Sequence, residues 1–429
     1  MEQYSILFLD VTQCAAARKM GDHETGSDAM SVDVTEGRAM LGRAAIAGLG
    51  ISDTGKVYGR SAGDFAADAI RLAVADAGLA LADVDGLLLS NGISGGVGFR
   101  LQQELGLRDL RLLSELSAFG ATAIAQVQSA ALAVAAGIAT TVVCVHADAP
   151  LKAPGVSSGA VYRGAAQSRG PKGLAAVRVA GGQRGANNGY ALAARRHMQR
   201  YGTTSEQFGA VAVGQRQWAA LNPRARFRDP ITMEDHQASR WVAEPLHLLD
   251  CCMVSNGGIA VVVTSAERAR ALAQPPVYLW GGAQTHPGYS LAAGCNFGLE
   301  TGASISGPAA MAMAGIKPTD VDVCEVYDCY TYTALVTLED YGFCAKGEGG
   351  GLATSGALAP GGSLPTNTGG GQLSSYYLWG MTPLSEAVIQ ARGHGGERQV
   401  ARHDVILVSG NGGTLDHHTT LVVSPLAAP

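Results

Sequence analysis

Two segments of this chain repeat one another, and the repeat constrains the fold more than any other feature of the sequence. Residues 76–85 read Asp-Ala-Gly-Leu-Ala-Leu-Ala-Asp-Val-Asp, and residues 313–322 read Met-Ala-Gly-Ile-Lys-Pro-Thr-Asp-Val-Asp. Each copy follows a predicted helix and precedes a predicted strand, which indicates duplication of a whole structural unit. Because strands alternate with helices in both halves, we expect an α/β fold with mainly parallel sheets.

The repeat and the composition divide the chain into regions. With 429 residues, the chain is long enough to form two closely packed halves. We assign residues 41–270 to the N-terminal half and residues 271–429 to the C-terminal half. Within the first half, residues 150–245 turn polar and glycine-rich and then helical, which predicts an inserted loop domain over the active face. Residues 1–40 carry scattered polar and acidic side chains without a period, and predict a poorly ordered N-terminal extension.

Charge and cysteine usage exclude several classes of function. The net charge of −5 offers no electrostatic footprint for nucleic acid. The eight cysteines form no Cys-x-x-Cys pair, which favours reduced thiols in a cytoplasmic protein and predicts no metal site. The long uncharged stretch Leu116–His146 is rich in alanine and glycine, so it predicts a buried helix rather than a membrane span.

Two segments in the C-terminal half carry side chains suited to chemistry. Residues 322–331 predict a buried strand that delivers Tyr327 into a polar turn. Residues 367–380 predict a glycine-rich loop that ends in Tyr376 and Tyr377 and leads into a helix. We therefore expect the phenols of Tyr327 and Tyr377 to converge on one pocket. The alternative is that both are ordinary core tyrosines bonded through their hydroxyl groups.

Four segments of the chain carry a resemblance to a known family. They are Leu116-Ser-Ala-Phe-Gly-Ala-Thr-Ala123, Val326-Tyr-Asp-Cys-Tyr330, Asn367-Thr-Gly-Gly-Gly371 followed by Tyr376-Tyr-Leu378, and Ser409-Gly-Asn-Gly-Gly-Thr-Leu-Asp-His-His418. In these segments and in the repeat, the chain resembles the thiolase superfamily, specifically its sterol-carrier-type thiolases, from about residue 43 onward. The resemblance implies the thiolase fold, in which two duplicated βαβαβ-type halves form a five-layered αβαβα core with an inserted loop domain.

The chain departs from the thiolase pattern at the positions that perform thiolase chemistry. The resemblance places Ser117 where the family has its nucleophilic cysteine, and it places Tyr327 and Tyr377 where the family has histidines. A helix N-terminus can lower the pKa of a cysteine into the working range, but it cannot do so for an alcohol. A serine also needs a nearby base, and the expected histidine is Tyr377. We therefore do not expect Claisen chemistry through an acyl-enzyme.

The substitutions instead resemble the aldolase branch of the superfamily, as do three longer segments, Leu338–Gly350, Pro365–Gly369 and Glu386–Gly393. This resemblance implies retro-aldol cleavage of a β-hydroxyacyl-CoA, of the kind that removes the side chain of a steroid CoA thioester and yields a ketone and a short acyl-CoA. The CoA thioester is then the substrate, and no covalently bound cofactor is expected. Tyr327 and Tyr377 become the catalytic phenols, with either one as the acid and the other as the base.

Seven further residues are candidates for substrate binding. They are Ser117, Asp328, Asn367, Gly370, Gly371, Tyr376 and His418. We expect the loop glycines to offer N–H donors to the thioester oxygen. Tyr376 is expected in the pocket wall, and Asp328 either orients Tyr327 or accepts hydrogen bonds from turn amides.

The resemblance also implies partners. The aldolase branch works with a small acyl-CoA-binding protein that has a zinc ribbon and an OB-fold, and thiolase halves pair into homodimers, so an α2β2 assembly is expected. Two other functions stay open on the sequence. One is a thiolase-like acyltransferase that uses Ser117 or Cys329 as an unusual nucleophile, and the other is a non-catalytic acyl-CoA or lipid carrier.

Overall fold

The computed structural model of the chain describes residues 42–154, 174–183, 185–287 and 296–428. The predicted N-terminal extension, residues 1–40, lies outside the described residues, as does part of the predicted loop domain. The strands are β1 (Ala44–Ile51), β2 (Gly86–Asn91), β3 (Leu112–Glu115), β4 (Thr141–Asp148), β5 (Trp241–Ala243), β6 (Leu246–His247), β7 (Gly257–Ser265), β8 (Val277–Thr285), β9 (Val323–Glu325), β10 (Ile406–Gly412) and β11 (His417–Ser424).

The helices alternate with these strands through most of the described chain. They are α1 (Ala62–Asp76), α2 (Arg100–Glu104), α3 (Thr122–Ala135), α4 (Leu174–Ala180), α5 (Ala186–Tyr201), α6 (Ser205–Ala220), α7 (Met233–Ala238), α8 (Ala266–Ala269), α9 (Ala303–Ala314), α10 (Thr331–Asp340), α11 (Gly349–Thr354) and α12 (Met381–Ala391). A short π-helical turn spans Gly371–Ser375.

The two copies of the sequence repeat adopt the same local structure. Helices α1 and α9 are each followed by a glycine in the left-handed region, Gly78 with φ of 72° and Gly315 with φ of 70°. A single 3₁₀ turn comes next in both copies, and its last residue, Asp83 or Asp320, accepts a hydrogen bond from the backbone N–H three residues earlier at 2.8 Å. Strands β2 and β9 then begin at equivalent positions, which explains why the two segments share their Asp-Val-Asp ending.

Nine strands form one sheet in the order β3-β2-β4-β7-β1-β8-β11-β10-β9. The two halves of the sheet meet at β1 and β8, which pair only where Ala45 opposes Tyr278 and Ile46 opposes Val277. Strand β8 begins at Val277, so β1 extends past the end of β8 after Ile46. Each half of the chain therefore contributes its own half-sheet, as the duplication predicts.

The expectation of mainly parallel pairing is wrong. Strand β2 is parallel to β3 and β4, and β9 is parallel to β10, but the other neighbours in the large sheet are antiparallel. The reason is that the later strands do not enter through a single helical crossover. Strand β11 follows β10 through a tight hairpin that opposes Gly412 to His417, and β7 enters after the long excursion over residues 150–245.

Helices lie outside both half-sheets and also between them. Ile124 of α3 and Leu384 of α12 share one hydrophobic core with strands from both halves. Phe65 of α1 packs in a separate core on the outer face of the N-terminal half. Met311 of α9 and Leu338 of α10 do the same for the C-terminal half. The resulting order of helix, sheet, helix, sheet and helix confirms the five-layered α/β fold.

Helix α3 occupies the central layer because its side chains are small and uncharged. Its two glutamines are buried, and both find backbone acceptors: Gln126 Nε2 donates to Val145 O at 3.4 Å and Gln128 Nε2 donates to Thr420 O at 3.0 Å. The buried helix predicted within Leu116–His146 is thus confirmed. Within the part of the chain that the structure describes, no helix is long and apolar enough to cross a membrane.

The described part of residues 150–245 packs on the C-terminal half. His197 Nε2 of α5 lies 3.0 Å from Glu339 Oε2 of α10, with both side chains fully buried. Trp218 Nε1 of α6 donates to Leu358 O at 2.9 Å. These contacts bring α5 and α6 against the segments that carry the predicted catalytic tyrosines. The domain boundaries assigned from the sequence remain a prediction.

Candidate active site

The structure brings Tyr327 and Tyr377 together. Tyr327 lies between β9 and α10, Tyr377 lies between the π-helical turn and α12, and their hydroxyl oxygens are 3.1 Å apart. Tyr327 is buried and Tyr377 is half-buried. The backbone N–H of Tyr327 donates to Ser409 Oγ at 2.9 Å, and that of Tyr377 donates to Ser255 Oγ at 3.1 Å. Both tyrosines are therefore anchored through their backbones, which leaves the hydroxyl groups to interact with each other.

Asn367 connects the two tyrosine-bearing segments. Its Oδ1 accepts from the N–H of Val326 at 2.7 Å, and its own N–H donates to Cys324 O at 2.8 Å. Its φ of 53° lies in the left-handed region, which asparagine tolerates better than most residues. The structure thus gives Asn367 a scaffolding role, and its contact with substrate remains a prediction.

Asp328, Gly370 and Gly371 lie in the scaffold of the tyrosine-bearing segments, and their role in substrate binding remains a prediction. The buried carboxylate of Asp328 accepts from the N–H groups of Gln372 at 2.9 Å and Leu373 at 3.3 Å. The N–H groups of Gln372 and Leu373 are therefore already engaged by the Asp328 side chain. A Cβ on Gly371 would lie 2.2 Å from Asp328 Oδ2, and one on Gly370 would lie 2.5 Å from the Cβ of Ala219, so close packing requires both glycines.

Tyr376 and His418 make hydrogen bonds away from the phenol pair, and their roles in substrate binding remain predictions. Tyr376 has extended backbone, so its side chain projects opposite to that of Tyr377. Its hydroxyl lies in the core, 3.1 Å from Ser385 Oγ of α12. His418 faces the outer helix layer, where its Nδ1 lies 2.9 Å from Ser306 Oγ of α9. Burial lowers the pKa of His418 to about 3. Both side chains therefore have packing partners within the described structure.

The structure also describes Ser117, and its role in substrate binding remains a prediction. It lies on the surface, two residues before the 3₁₀ turn that leads into α3. The residue at the start of that turn is Phe119, whose φ of 52° is unusual for an aromatic side chain. Gly120 then packs against Tyr327, since a Cβ there would lie 2.2 Å from the Tyr327 Cζ. The residue that packs directly against the Tyr327 ring is therefore Gly120, which follows Phe119.

Four non-glycine residues around the phenols have left-handed backbone. They are Phe119, Asn367 and Trp379, with φ between 51° and 53°, and Leu415, with φ of 72°. The ring of Phe119 lies 6.0 Å from that of Trp379 and stacks on His417 at 6.3 Å, and Trp379 stacks on His146 at 4.7 Å. Such strain persists only where the surroundings enforce it, and it is common at functional sites.

Two residues near the phenols were missed by the sequence analysis. Tyr190 of α5 contributes a further phenol to the same buried cluster as Tyr327, and its hydroxyl is 3.5 Å from Nδ2 of Asn411. Asn411 lies at the end of β10 in the glycine-rich turn that was singled out for its histidines. Tyr190 sits in an alanine-rich helix with no motif, so only the tertiary packing of α5 reveals it.

The surroundings of the phenols disfavour negative charge. Burial raises the pKa of Tyr190, Tyr327 and Tyr377 well above the ordinary value for tyrosine. Burial also raises the pKa of the Cys329 thiol to about 12 and that of Cys252 well above its usual range. The phenols and thiols are thus neutral at neutral pH. A phenolate that forms here depends on the hydrogen bond from the other phenol of the pair.

The described residues contain no group of three or more histidine, cysteine, aspartate or glutamate side chains that could hold a metal ion. The nearest carboxylate to Tyr327 along the chain is that of Asp328, whose pKa burial raises to about 7 while the N–H groups of Gln372 and Leu373 lower it. The hydroxyl groups of the phenol pair are suited to proton transfer.

Comparison with known proteins is consistent with this geometry. Residues 283–425 match the family model described as thiolase C-terminal domain-like. A steroid side-chain-cleaving aldolase from Thermomonospora curvata is 41% identical over 86% of this chain and 96% of its own length. The 17-hydroxy-3-oxo-4-pregnene-20-carboxyl-CoA lyase of Mycobacterium tuberculosis is 39% identical over 87% of this chain and 97% of its own. The solved structure of an Ltp2-ChsH2(DUF35) aldolase covers 90% of this chain and 98% of its own, with 38% identity and a TM-score of 0.77.

The fold and the matched C-terminal region define a protein of the thiolase superfamily. Within it, this chain belongs to the sterol-carrier-type thiolase-like family that includes the steroid side-chain-cleaving aldolases. The resemblance found in the sequence is thereby confirmed.

Replacement of Gly120 by alanine tests the packing of Tyr327. The added Cβ would lie 2.2 Å from both the Tyr327 ring and Asn411 O, so the ring must move and the contact with Tyr377 must lengthen. We expect Gly120→Ala to lower the free energy of unfolding by about 1–3 kcal/mol, the usual cost of overpacking. Thermal and urea unfolding measure this change, with Gly98→Ala, where a Cβ meets open space, as the control. Equal stability of the two variants would contradict the packing described.

Proposed function

We propose that this chain is an aldolase that performs retro-aldol cleavage of a β-hydroxyacyl-CoA with a steroid tail, giving a ketone and a short acyl-CoA. The names of the two relatives support the substrate class. In the lyase from Mycobacterium tuberculosis, the printed substrate carries a hydroxyl group on C17 and the thioester on the carboxyl group attached to C20. That hydroxyl is β to the thioester carbonyl, which is the arrangement that a retro-aldol cleavage needs.

The observation that carries the proposal is the 3.1 Å contact between the hydroxyl groups of Tyr327 and Tyr377 in a buried site. One phenol, ionised, takes the proton from the β-hydroxyl of the substrate. The Cα–Cβ bond then breaks, the former alkoxide becomes the ketone, and the electron pair moves into the thioester as an enolate. A phenol returns a proton to Cα, so the reaction consumes no net proton and needs no covalent intermediate.

The two phenols work as a coupled pair. Because their oxygens share a hydrogen bond, ionisation of either one is stabilised by donation from the other. Burial makes each phenol a weak acid, and a weak acid is a strong base once it is ionised. The pair therefore combines a base for the hydroxyl proton with a neutral donor for the enolate. The assignment of acid and base within the pair is left open.

Acyl transfer is disfavoured by the state of the available nucleophiles. Cys329 is buried, and burial raises its pKa to about 12, so its thiolate is scarce at neutral pH. Ser117 is exposed, two residues before the turn that leads into α3. A carrier without activity would not require two neutral phenols in hydrogen-bond contact. The lyase proposal requires only the two phenols, in the contact that the structure gives them.

We also propose a heteromeric assembly in the cytoplasm. The solved aldolase with 38% identity is titled as a complex of two components, Ltp2 and ChsH2(DUF35). By analogy, this chain would pair with a small acyl-CoA-binding protein that has a zinc ribbon and an OB-fold, and two such pairs would form an α2β2 assembly. The free thiols at all six described cysteines support the cytoplasmic location.

The replacements Tyr327→Phe and Tyr377→Phe test the catalytic role directly. Each removes one hydroxyl and keeps the ring, so substrate binding is preserved while proton transfer is lost. We expect kcat to fall by about 10²–10⁴-fold with KM within about threefold, the usual contribution of a general acid or base. Release of the ketone and acyl-CoA is measured with the partner protein supplied.

Tyr376→Phe is the matched control, because it removes a neighbouring hydroxyl that is bonded to Ser385 in the core. It should keep kcat within about twofold and lower stability by about 1 kcal/mol, the value of one buried hydrogen bond. If Tyr327→Phe or Tyr377→Phe retains full turnover, the phenol mechanism is wrong. Accumulation of an acyl-enzyme on the wild-type chain would favour the acyltransferase instead.

The dependence of kcat/KM on pH provides an independent test. The base must be ionised to act, and burial raises the pKa of both phenols well above 10, so the active form is scarce at neutral pH. It becomes about tenfold more abundant with each pH unit, and we expect log kcat/KM to rise with a slope of about one from pH 6 to 9. A plateau near pH 7 would contradict a phenol base and would point to Asp328, whose pKa is about 7.

A further inference from the structure

A chain of buried polar side chains connects β9, the loop before Tyr377 and α12. Glu325 is the last residue of β9, two residues before Tyr327, and it is 1% exposed. Its Oε1 accepts from the N–H of Thr368 at 3.1 Å and lies 2.7 Å from the Thr368 hydroxyl oxygen. That hydroxyl oxygen lies 3.2 Å from Oε1 of Glu386 in α12. Neither carboxyl group takes part in the proposed proton transfers.

The charges in this chain of side chains do not balance if both carboxyl groups are ionised. Arg398 Nε donates to Glu386 Oε1 at 2.8 Å and its Nη2 donates to Glu386 Oε2 at 3.1 Å, so this pair is neutral as a whole. Gln390 Nε2 adds a further donor to Glu386 Oε1 at 3.1 Å. Glu325, in contrast, is bonded to the uncharged side chain of Thr368. An ionised Glu325 would therefore be a buried charge beside a neutral ion pair, which destabilises a folded protein.

The hydroxyl group of Thr368 lies between the two carboxyl groups. It carries a single proton, yet its oxygen is within hydrogen-bond distance of carboxyl oxygens on both Glu325 and Glu386. If both groups were carboxylates, one of the two contacts would bring two acceptor oxygens together. A proton on Glu325 removes this conflict, because the contacts of 2.7 Å and 3.2 Å then have one donor each.

The surroundings of Glu325 also favour the neutral acid. The cavity beside it has a volume of about 10 Å³, roughly the space of one water molecule, so bulk solvent does not stabilise a charge there. Asp328 and Tyr376 line the same cavity, and Arg398 is already paired with Glu386. Burial raises the pKa of Glu325 well above the usual glutamate range, and the charges of Glu386 and Asp328 add to the rise, while hydrogen bonds from the neighbouring loop act against it.

We propose that Glu325 is a positioning residue for the phenol pair, and that it acts as a neutral carboxylic acid. It holds Thr368 against the end of β9, directly beside the hydrogen bond between Asn367 and Val326. Through Thr368 it also joins that loop to α12, which begins four residues after Tyr377. Glu325 thus acts on the reaction through the placement of the two phenols. This role rests on the proposed lyase function, because the phenol pair is what Glu325 positions.

Two replacements of Glu325 in the full chain, with the partner protein supplied, separate a neutral acid from an ionised one. Glu325→Gln keeps the shape of the neutral acid and its ability to donate and accept, so we expect kcat and KM within about threefold of the wild type. Glu325→Ala removes the link to Thr368, and we expect kcat to fall about tenfold or more, with KM within about threefold. Glu104→Gln changes an exposed glutamate of α2 and should match the wild type.

Infrared spectroscopy measures the protonation state of Glu325 without turnover. A neutral carboxyl group has a C=O stretching band that an ionised carboxylate lacks. We expect the spectrum of the wild type minus that of Glu325→Gln to contain this band at about pH 7, well above the reference pKa of about 4.3 for a glutamate in water. The matching difference spectrum for Glu104→Gln should not contain it.

The proposal is overturned if Glu325→Gln loses as much kcat as Glu325→Ala, because the ionised form would then be the one that works. It is equally overturned if the wild type lacks the C=O band, or if Glu325→Ala keeps the kcat of the wild type. If Glu325→Ala does not fold, Glu325→Gln and the infrared band decide the question. Failure of the proposed lyase function is distinguishable, because it appears in the wild type as no release of ketone, whereas the infrared band does not depend on turnover.

Discussion

The hydrogen bond between the hydroxyl groups of Tyr327 and Tyr377 joins two segments that are distant in sequence, and much of the surrounding structure holds those segments in place. Asn367 ties the strand end that precedes Tyr327 to the loop that precedes Tyr377. The carboxylate of Asp328 fixes the π-helical turn by accepting a hydrogen bond from the backbone N–H of Gln372. Gly120 packs directly against the Tyr327 ring, in space that a Cβ would occupy. The contact between the phenols is thus a property of the folded scaffold rather than of the two side chains alone.

Burial gives this contact its chemical consequence. In water, a phenol is a poor base at neutral pH and a neighbouring phenol changes little. In a buried site the charged form is penalised, so a phenolate gains more from a hydrogen bond with its partner. Burial also raises the pKa of the Cys252 and Cys329 thiols in the same region, which disfavours the thiolate that thiolase chemistry needs. A thiolase scaffold with such a site is suited to proton transfer.

Much of this arrangement could be predicted from the sequence, because it depends on local pattern. The repeat fixed the two-half architecture, and the position of the tyrosines within the family segments predicted their convergence. Side-chain direction was harder. Tyr376 precedes Tyr377 in extended backbone, where a shift of one position reverses the face. Phe119, with its left-handed φ, begins the turn that follows Ser117, and the sequence pattern does not reveal this. Tyr190 reaches the site only through the packing of α5, and the antiparallel pairing of β7 depends on its route into the sheet.

The most direct test of the coupled pair is a double-mutant cycle in which Tyr327→Phe, Tyr377→Phe and the double variant are compared by kcat under single-turnover conditions. If the two hydroxyl groups work as one unit, the double variant loses about as much activity as either single variant, because the first change already disables the pair. If instead the losses multiply, the two phenols act independently, and the 3.1 Å contact between them has no part in the reaction.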